Sequence, residues 1–220
     1  MKILVLDVGG TNVKVGRSGS RRRLKIPSGP GLRPEAMVAA VRAATAEWEY
    51  DAVSIGYPGP VQKGKPIAEP KNLGRGWLRF NFARAFRVPV RILNDAAMQA
   101  LGSYRGGRML FLGLGTGLGS ALVVDGVVLP LELAHLPYRH GSSYEDYLGV
   151  RGLKRMGQRR WQGHVHQVIR LLQRGLLADY VTLGGGNTKK LTVVPRGVRV
   201  TNNTAAMVGG VRLWTSIQRW

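Results

Sequence analysis

The chain of 220 residues is 44% hydrophobic and contains no cysteine, which excludes a disulfide framework and a thiolate metal site. No apolar run approaches the roughly 20 residues of a membrane-spanning helix, and the N-terminus lacks a signal-peptide layout, so we expect a cytoplasmic protein without a membrane partner. Its 33 Lys and Arg residues against 12 Asp and Glu give a formal net charge of +21. Such a charge attracts polyanions, although Arg-rich decoration of a solvated surface would explain it equally well.

In the first half of the chain, apolar runs and turn residues indicate strands around one helix. Strands are predicted at residues 2–8, 11–18, 21–27 and 50–58. A helix is predicted over residues 34–48, because apolar residues recur there at helical spacing as far as Trp48. Residues 59–80 are rich in Gly, Pro and Lys, which indicates an extended loop.

The second half of the chain repeats this alternation of strands and helices. Strands are predicted at 88–93, on both sides of a glycine-rich turn within 108–129, and at 179–187, and helices from Asn94-Asp95, over 159–177 and from Asn203 or Thr204. Two runs of strands and helix in the same order predict two α/β lobes with mixed sheets and a cleft between them. We expect an N-terminal lobe of residues 1–93, completed by a C-terminal helix at 203–220, and a C-terminal lobe of residues 94–202.

Three glycine-rich segments each follow an apolar strand: DVGGT at 7–11, GLGTGLG at 113–119 and LGGGN at 183–187. Their bare backbone N–H groups can approach an anion closely. None matches the P-loop or the dinucleotide-binding pattern, and each alone is better explained as a tight turn. Three of them at strand ends in one chain favour a phosphate site built from several loops.

Acidic residues are scarce in this chain, so those beside strand ends are candidates for a functional site. Asp7 fits two roles, the orientation of a Mg²⁺-bound water beside a phosphate or the capping of a turn. Asp95 fits a helix cap and also a general base that takes a proton from a hydroxyl group. Glu132 and His135 are too few for a metal site, and hydrogen bonding to sugar hydroxyls suits them better.

Seven motifs occur in register along almost the whole chain: DVGGTNVKVG, GYPGPV, NLGRGW, NDAAMQALG, GLGTGLGSALVVDG, ELAHLPY and LGGGN. Together they resemble the ROK sugar kinases of the actin-like ATPase superfamily, and among these the bacterial polyphosphate glucokinases. The resemblance implies a two-lobed actin-like ATPase (ribonuclease H-like) α/β fold with mixed β-sheets and a cleft between the lobes. It also implies phosphoryl transfer from polyphosphate or ATP to the 6-hydroxyl of glucose, with Mg²⁺ at the donor phosphates.

The same resemblance implies roles for individual residues, with Asp95 as the catalytic base. The implied hexose ligands are Gly59, Asn94, Asp95, Glu132, His135 and Glu145. The residues implied at the phosphoryl donor are Asp7, Gly9, Gly10, Thr11, Asn12, Lys14, Gly115, Thr116, Gly117, Gly184, Gly185 and Gly186, with Asp7 toward Mg²⁺ through water. Many family members carry a Cys-rich zinc motif after the E-x-x-H segment, and without cysteine no zinc site is implied here. A homodimer is the family habit.

Two other functions stay open at this point. A non-catalytic sugar-sensing regulator on the same fold usually carries a DNA-binding helix-turn-helix, which we do not expect because the chain starts directly at its first strand. A strictly ATP-dependent hexokinase with another sugar preference would make the basic surface mere decoration. Specific nucleic-acid binding is not expected, because the few aromatic residues are not interleaved with basic ones as stacking platforms require.

Overall fold

The computed structural model describes residues 1–202 and 204–215, and its core is built on two five-stranded sheets. The first half contains, in chain order, β1 (Ile3–Val8), β2 (Asn12–Arg17), β3 (Arg23–Pro27), α1 (Pro34–Ala44), β4 (Ala52–Tyr57), β5 (Val61–Gln62), β6 (Lys65–Pro66), α2 (Phe82–Phe86) and β7 (Val90–Asn94). The second half contains α3 (Asp95–Ser103), β8 (Arg108–Leu114), β9 (Leu118–Val124), β10 (Val127–Leu131), β11 (Pro137–Arg139), β12 (Ser142–Ser143), α4 (Tyr144–Leu148), α5 (Val150–Gly175), β13 (Tyr180–Gly184), β14 (Val198–Val200) and α6 (Ala205–Thr215). Within these ranges, no helix has the length and apolar character to cross a membrane.

The two sheets share one topology. Their strand orders are β3-β2-β1-β4-β7 and β10-β9-β8-β13-β14. In each sheet, three antiparallel strands in meander order are followed by two strands parallel to the first of them. This repeat confirms the prediction of an α/β fold with mixed sheets.

The central strand β1 shows why the sheets are buried on both faces. Leu4, Leu6 and Val8 contact the apolar cluster beneath α1, whereas Ile3 and Val5 contact the cluster around α3 and α6. Because both faces are covered, the strand reads as a continuous apolar run rather than as an alternating one.

Helices α3 and α6 pack against each other between the two sheets. Glycines allow this close approach, since a Cβ at Gly102 would run into the carbonyl of Ala205, and one at Gly209 into that of Met98. Helix α3 also contacts β8, β9 and β10, whereas α6 contacts β1 and β4 of the first sheet.

The predicted lobe boundary after residue 93 stays a prediction, although the last helix does pack on the first sheet. That helix begins at Ala205, one residue after the later of the two predicted starts, Asn203 and Thr204. Asn203 itself and residues 216–220, which the prediction of a helix at 203–220 included, lie outside the described residues.

The bounds of two predicted helices are wrong. Helix α1 ends at Ala44 and not at residue 48, because Thr45 leaves the helical conformation and its hydroxyl donates to the carbonyl of Val41 at 2.8 Å. Helix α5 covers Val150–Gly175 and not 159–177, with a kink at Gly157, where φ is 76°. The amphipathic pattern is clear only beyond this kink, which is why the sequence indicates only the second part of the helix.

Candidate active site

Asn94 joins the end of β7 to the start of α3. Its side-chain oxygen caps the helix by accepting the N–H of Ala97 at 3.1 Å, and its amide nitrogen donates to the carbonyl of Gly59 at 3.0 Å. The sequence left open whether Asp95 is a cap, and the structure assigns that role to Asn94. The carboxylate of Asp95 accepts only the N–H of the neighbouring Ala96, at 2.7 Å, among the hydrogen bonds of the described residues.

The carboxyl group of Asp95 has a strongly perturbed acidity. Loss of surrounding water, followed by the negative charges of Asp7 and Glu132, raises the pKa of Asp95 to about 7, against the opposing effects of the Ala96 N–H and of Lys14. Three carboxylates from distant parts of the sequence therefore lie within electrostatic reach of one another. A carboxyl with a pKa near neutrality suits proton transfer at physiological pH.

Asp7 and Lys14 form an ion pair within electrostatic reach of Asp95. The two residues lie directly opposite each other on β1 and β2, and Lys14 Nζ is 3.0 Å from Asp7 Oδ2. The Asp7 side chain is 8% exposed and that of Lys14 38%, so the ammonium reaches solvent while the carboxylate is enclosed. An enclosed carboxylate of this kind suits Mg²⁺, which proteins hold through one or two carboxylates, water and substrate phosphates.

The first glycine loop, residues 9–12, is fixed by hydrogen bonds to its own backbone and to Ser28. The N–H of Gly9 donates to the carbonyl of Asn12 at 3.0 Å, while the Ser28 hydroxyl donates to the Gly9 carbonyl at 2.6 Å and the Ser28 N–H to that of Thr11 at 3.0 Å. Sequence reasoning missed Ser28, which follows the third strand without any motif.

Gly10 in the same loop lies against the NLGRGW segment. A Cβ on Gly10 would be 3.1 Å from the Cβ of Asn72, so a larger residue would press on that segment. In the sequence, Asn72 belongs to the NLGRGW motif, and no role was predicted for it.

The second and third glycine loops are hydrogen-bonded to each other. The N–H of Gly115 donates to the carbonyl of Gly117 at 3.1 Å and closes the turn between β8 and β9. Asn187 donates its side-chain amide to the Gly115 carbonyl at 2.8 Å. Gly185 has a φ of 85°, and a Cβ there would run into Leu114 of the second loop. The two segments thus form one surface.

Residues of the second and third glycine loops also contact the rest of the fold. The carbonyl of Thr116 accepts the N–H of Val150 at 3.1 Å, which attaches the start of α5 to the second loop. Gly184 packs on the ring of Phe111, and Gly186 begins a short 3₁₀ turn, Gly186–Lys190. A Cβ on Gly119 would meet Ala96 Cβ at 2.6 Å, so β9 lies against the first turn of α3, beside Asp95.

Glu132 precedes a 3₁₀ turn, Leu133–His135, and His135 is its last residue, so the two do not lie on an α-helix. His135 Nε2 lies 3.7 Å from Glu132 Oε2, and the side chains are 59% and 52% exposed, which leaves both available to a ligand. Glu145 has a different environment: its carboxylate accepts the N–H of Leu118 at 3.2 Å and lies 3.8 Å from Arg151. The structure therefore places Glu145 beside the second glycine loop, and its role as a sugar ligand stays a prediction.

An aromatic cluster holds the segment between His135 and Glu145 on helix α5. The Tyr138 ring stacks on Tyr144 at 5.1 Å and meets Tyr147 and His164 edge-on. The Tyr138 hydroxyl lies 3.1 Å from His164 Nδ1. Burial, followed by the charges of two arginines, lowers the pKa of His164 and favours the neutral imidazole.

Two sheets of the order 3-2-1-4-5, glycine turns at strand ends and an acid near the end of the first strand are the features of the actin-like ATPase fold. Residues 4–130 match the sequence model of the ROK family, and the chain belongs to this family.

A polyphosphate glucokinase from Mycobacterium leprae is 25% identical over 96% of this chain and 74% of its own length. A glucokinase from Pyrobaculum calidifontis is 33% identical over 58% of this chain and 45% of its own length. The crystal structure of an inorganic polyphosphate/ATP-glucomannokinase from Arthrobacter sp. strain KM superposes with a TM-score of 0.80 at 23% identity, over 97% of this chain and 99% of that one.

Proposed function

We propose that this protein is a sugar kinase that transfers a phosphoryl group from inorganic polyphosphate, ATP or both to the 6-hydroxyl of glucose. The observation that carries the proposal is the carboxyl of Asp95, whose pKa is raised to about 7 by burial, followed by the negative charges of Asp7 and Glu132. The names of the relatives support the sugar and the donor. A homodimer in the cytoplasm is part of the same proposal.

In the proposed reaction, Asp95 accepts the proton of the sugar 6-hydroxyl. The freed oxygen forms a bond to the terminal phosphorus, and the bond from that phosphorus to the rest of the donor breaks. Asn94, Glu132 and His135 orient the sugar hydroxyls, together with Gly59 and, less directly, Glu145. Positioning and charge neutralisation account for most of the rate acceleration in this kind of reaction.

The donor is held by the glycine loops and by cations. Backbone N–H groups of the first and second loops face the phosphates, except those of Gly9 and Gly115, which donate to carbonyls of their own loops. The loop of Gly184, Gly185 and Gly186 faces the nucleoside end when the donor is ATP. Asp7 would hold Mg²⁺ through water, and the ion would neutralise charge on the donor phosphates. Closure of the two lobes, residues 1–93 with the last helix and residues 94–202, would exclude water and so prevent hydrolysis of the donor.

The decisive experiment is a coupled assay that crosses glucose, mannose and fructose with ATP and polyphosphate. Asp95→Asn is expected to lower kcat by about 10²- to 10⁴-fold, because a general base contributes that much, while glucose binding measured by calorimetry is retained. Glu35→Gln, which removes an exposed acid of α1, is the matched control and is expected to leave kcat unchanged. Near-normal turnover of Asp95→Asn would remove Asp95 from its role, and no product in any combination would reject the kinase.

The acidity of Asp95 also predicts a pH dependence. A general base must be ionised, so kcat/KM for glucose is expected to rise with pH and to level off above the pKa of about 7. Well below that value, kcat/KM should fall by about tenfold per pH unit, because the ionised fraction does so. A profile that is flat between pH 5.5 and pH 8 would contradict the assignment.

A further inference from the structure

We propose that Lys14 and Lys25 form a basic row that binds the phosphates of an inorganic polyphosphate chain behind the one that is transferred. This inference rests on the proposed function and specifies which part of the protein distinguishes polyphosphate from ATP. It is carried by the register of the first sheet and by the charges on one of its faces.

The strand register places three charged residues in one line across the sheet. Asp7 on β1 lies opposite Lys14 on β2, and Lys14 lies opposite Lys25 on the edge strand β3. Directly opposed residues of antiparallel strands project from the same face, with Cβ atoms about 5 Å apart. The row therefore begins at the cleft, beside Asp7, and ends at the open edge of the sheet.

The burial pattern independently identifies the face. Leu24 and Ile26, the neighbours of Lys25, pack on the apolar cluster beneath α1, so Lys25 projects from the opposite face and is exposed. On β2, Val13 and Val15 point to that same cluster, and Lys14 between them points away. The end of β3 also adjoins the first glycine loop, since Ser28 donates to the Gly9 carbonyl at 2.6 Å.

The row carries a positive charge that the protein does not compensate. All 12 acidic residues of the chain lie in the described ranges, and none of them forms an ion pair with Lys25. Lys14 is engaged by Asp7 at 3.0 Å, and two like charges directly opposite each other on neighbouring strands are destabilising. A bound anion would remove this cost.

The surroundings of the row match an inorganic chain better than a nucleotide. The other residues on this face of β2 and β3 are Asn12, Gly16, Arg23 and Pro27. They offer no aromatic or extended apolar surface on which a base could stack. Arg23 is directed at the turn, where its guanidinium donates to the carbonyls of Ser20 and Arg22 at 2.6 and 2.9 Å. Since ATP ends in a nucleoside after three phosphates, only polyphosphate continues as a line of negative charges along such a row.

The test compares Lys25→Gln with Arg174→Gln, which removes one exposed positive charge near the end of α5. For long-chain polyphosphate, Lys25→Gln is expected to lower kcat/KM by about 5- to 20-fold and Arg174→Gln by less than twofold. Tripolyphosphate should be affected less than the long chain, and ATP not at all. The plot of log kcat/KM for polyphosphate against log salt concentration should become less steep by about 0.7, the value for one lost phosphate contact on a single-stranded polyanion.

Several results would contradict the proposal that the basic row binds polyphosphate. If Lys25→Gln and Arg174→Gln lower kcat/KM for polyphosphate equally, only the overall charge of the protein matters. If Lys25→Gln lowers kcat/KM equally with polyphosphate and with ATP, Lys25 lies at a site common to both donors. Both results leave the kinase itself standing. If no donor gives product, the proposed function fails, and calorimetry with long-chain polyphosphate then decides: weaker binding to Lys25→Gln than to wild type supports the row, and equal or no binding overturns it.

Discussion

Asn94 makes two hydrogen bonds that serve different purposes, and substitutions can separate them. Its oxygen caps α3, and its nitrogen fixes the carbonyl of Gly59 at 3.0 Å. Asn94→Ala should lower the free energy of unfolding by about 1 kcal/mol, the usual cost of a lost cap, whereas Asn94→Ser keeps a capping hydroxyl and should stay within about 0.5 kcal/mol of wild type.

Both Asn94 variants lose the side-chain amide, which bonds to Gly59 and is proposed to orient the sugar, so both should raise KM for glucose by about tenfold, a loss that corresponds to about 1.4 kcal/mol. Urea unfolding and a glucose titration at saturating donor measure the two effects separately. A wild-type KM in Asn94→Ser would show that the bond to Gly59 does not position the sugar site.

At the scale of single residues, the sequence identifies the residues of the candidate site but does not assign separate roles to Asn94 and Asp95. Asn94 and Asp95 are both good capping residues, so the sequence alone did not decide between a cap and a base at Asp95. The choice depends on the pKa of Asp95, which burial raises most and which Asp7 and Glu132 raise further from distant parts of the chain. Ser28 shows the opposite case, because a serine after a strand carries no signal that it will fix a glycine loop.

The contact between α3 and α6 gives a prediction at the scale of an element. Gly209→Ala should lower the free energy of unfolding by about 1–3 kcal/mol or more, because the added methyl group runs into the carbonyl of Met98. Gly163→Ala on the exposed side of α5 is the matched control, since nothing lies within 4 Å of its Cβ position. It should raise stability by about 0.5–1 kcal/mol through the lower helix propensity of glycine. Equal stability of the two variants, measured by urea unfolding, would contradict the close packing of the helices.

The bounds of an element were predicted correctly where they follow from a local sequence pattern. They were predicted wrongly where they depend on the backbone conformation of a single residue. The strand β1 and the turn at Asp125-Gly126, where φ is 50° and 80°, follow from apolar run and turn chemistry alone. Helix α1 ends where Thr45 leaves the helical conformation, although the helical spacing of apolar residues continues to Trp48. The start of α5 is hidden because Gly157 interrupts the periodicity.

The repeated topology of the whole molecule is visible only in the structure. The two sheets have matching strand orders, yet the sequence shows no repeat strong enough to detect. Strand order is set by pairing between distant segments, and different apolar residues can fill equivalent positions in the two cores. The prediction of two lobes rested on the succession of strand and helix patterns, which is the part of a topology that survives such divergence.

The net charge of +21 predicts that salt will have opposite effects on stability and on polyphosphate use. Between 50 and 500 mM NaCl the melting temperature should rise, because salt screens the repulsion among 33 basic residues that only 12 acids oppose. Over the same range kcat/KM for polyphosphate should fall by about 25- to 125-fold, as expected for two or three phosphate contacts. KM for uncharged glucose is the internal control and should change little. If polyphosphate kinetics are as insensitive to salt as the glucose KM, the basic surface plays no part in donor binding, and ATP becomes the better candidate for the donor.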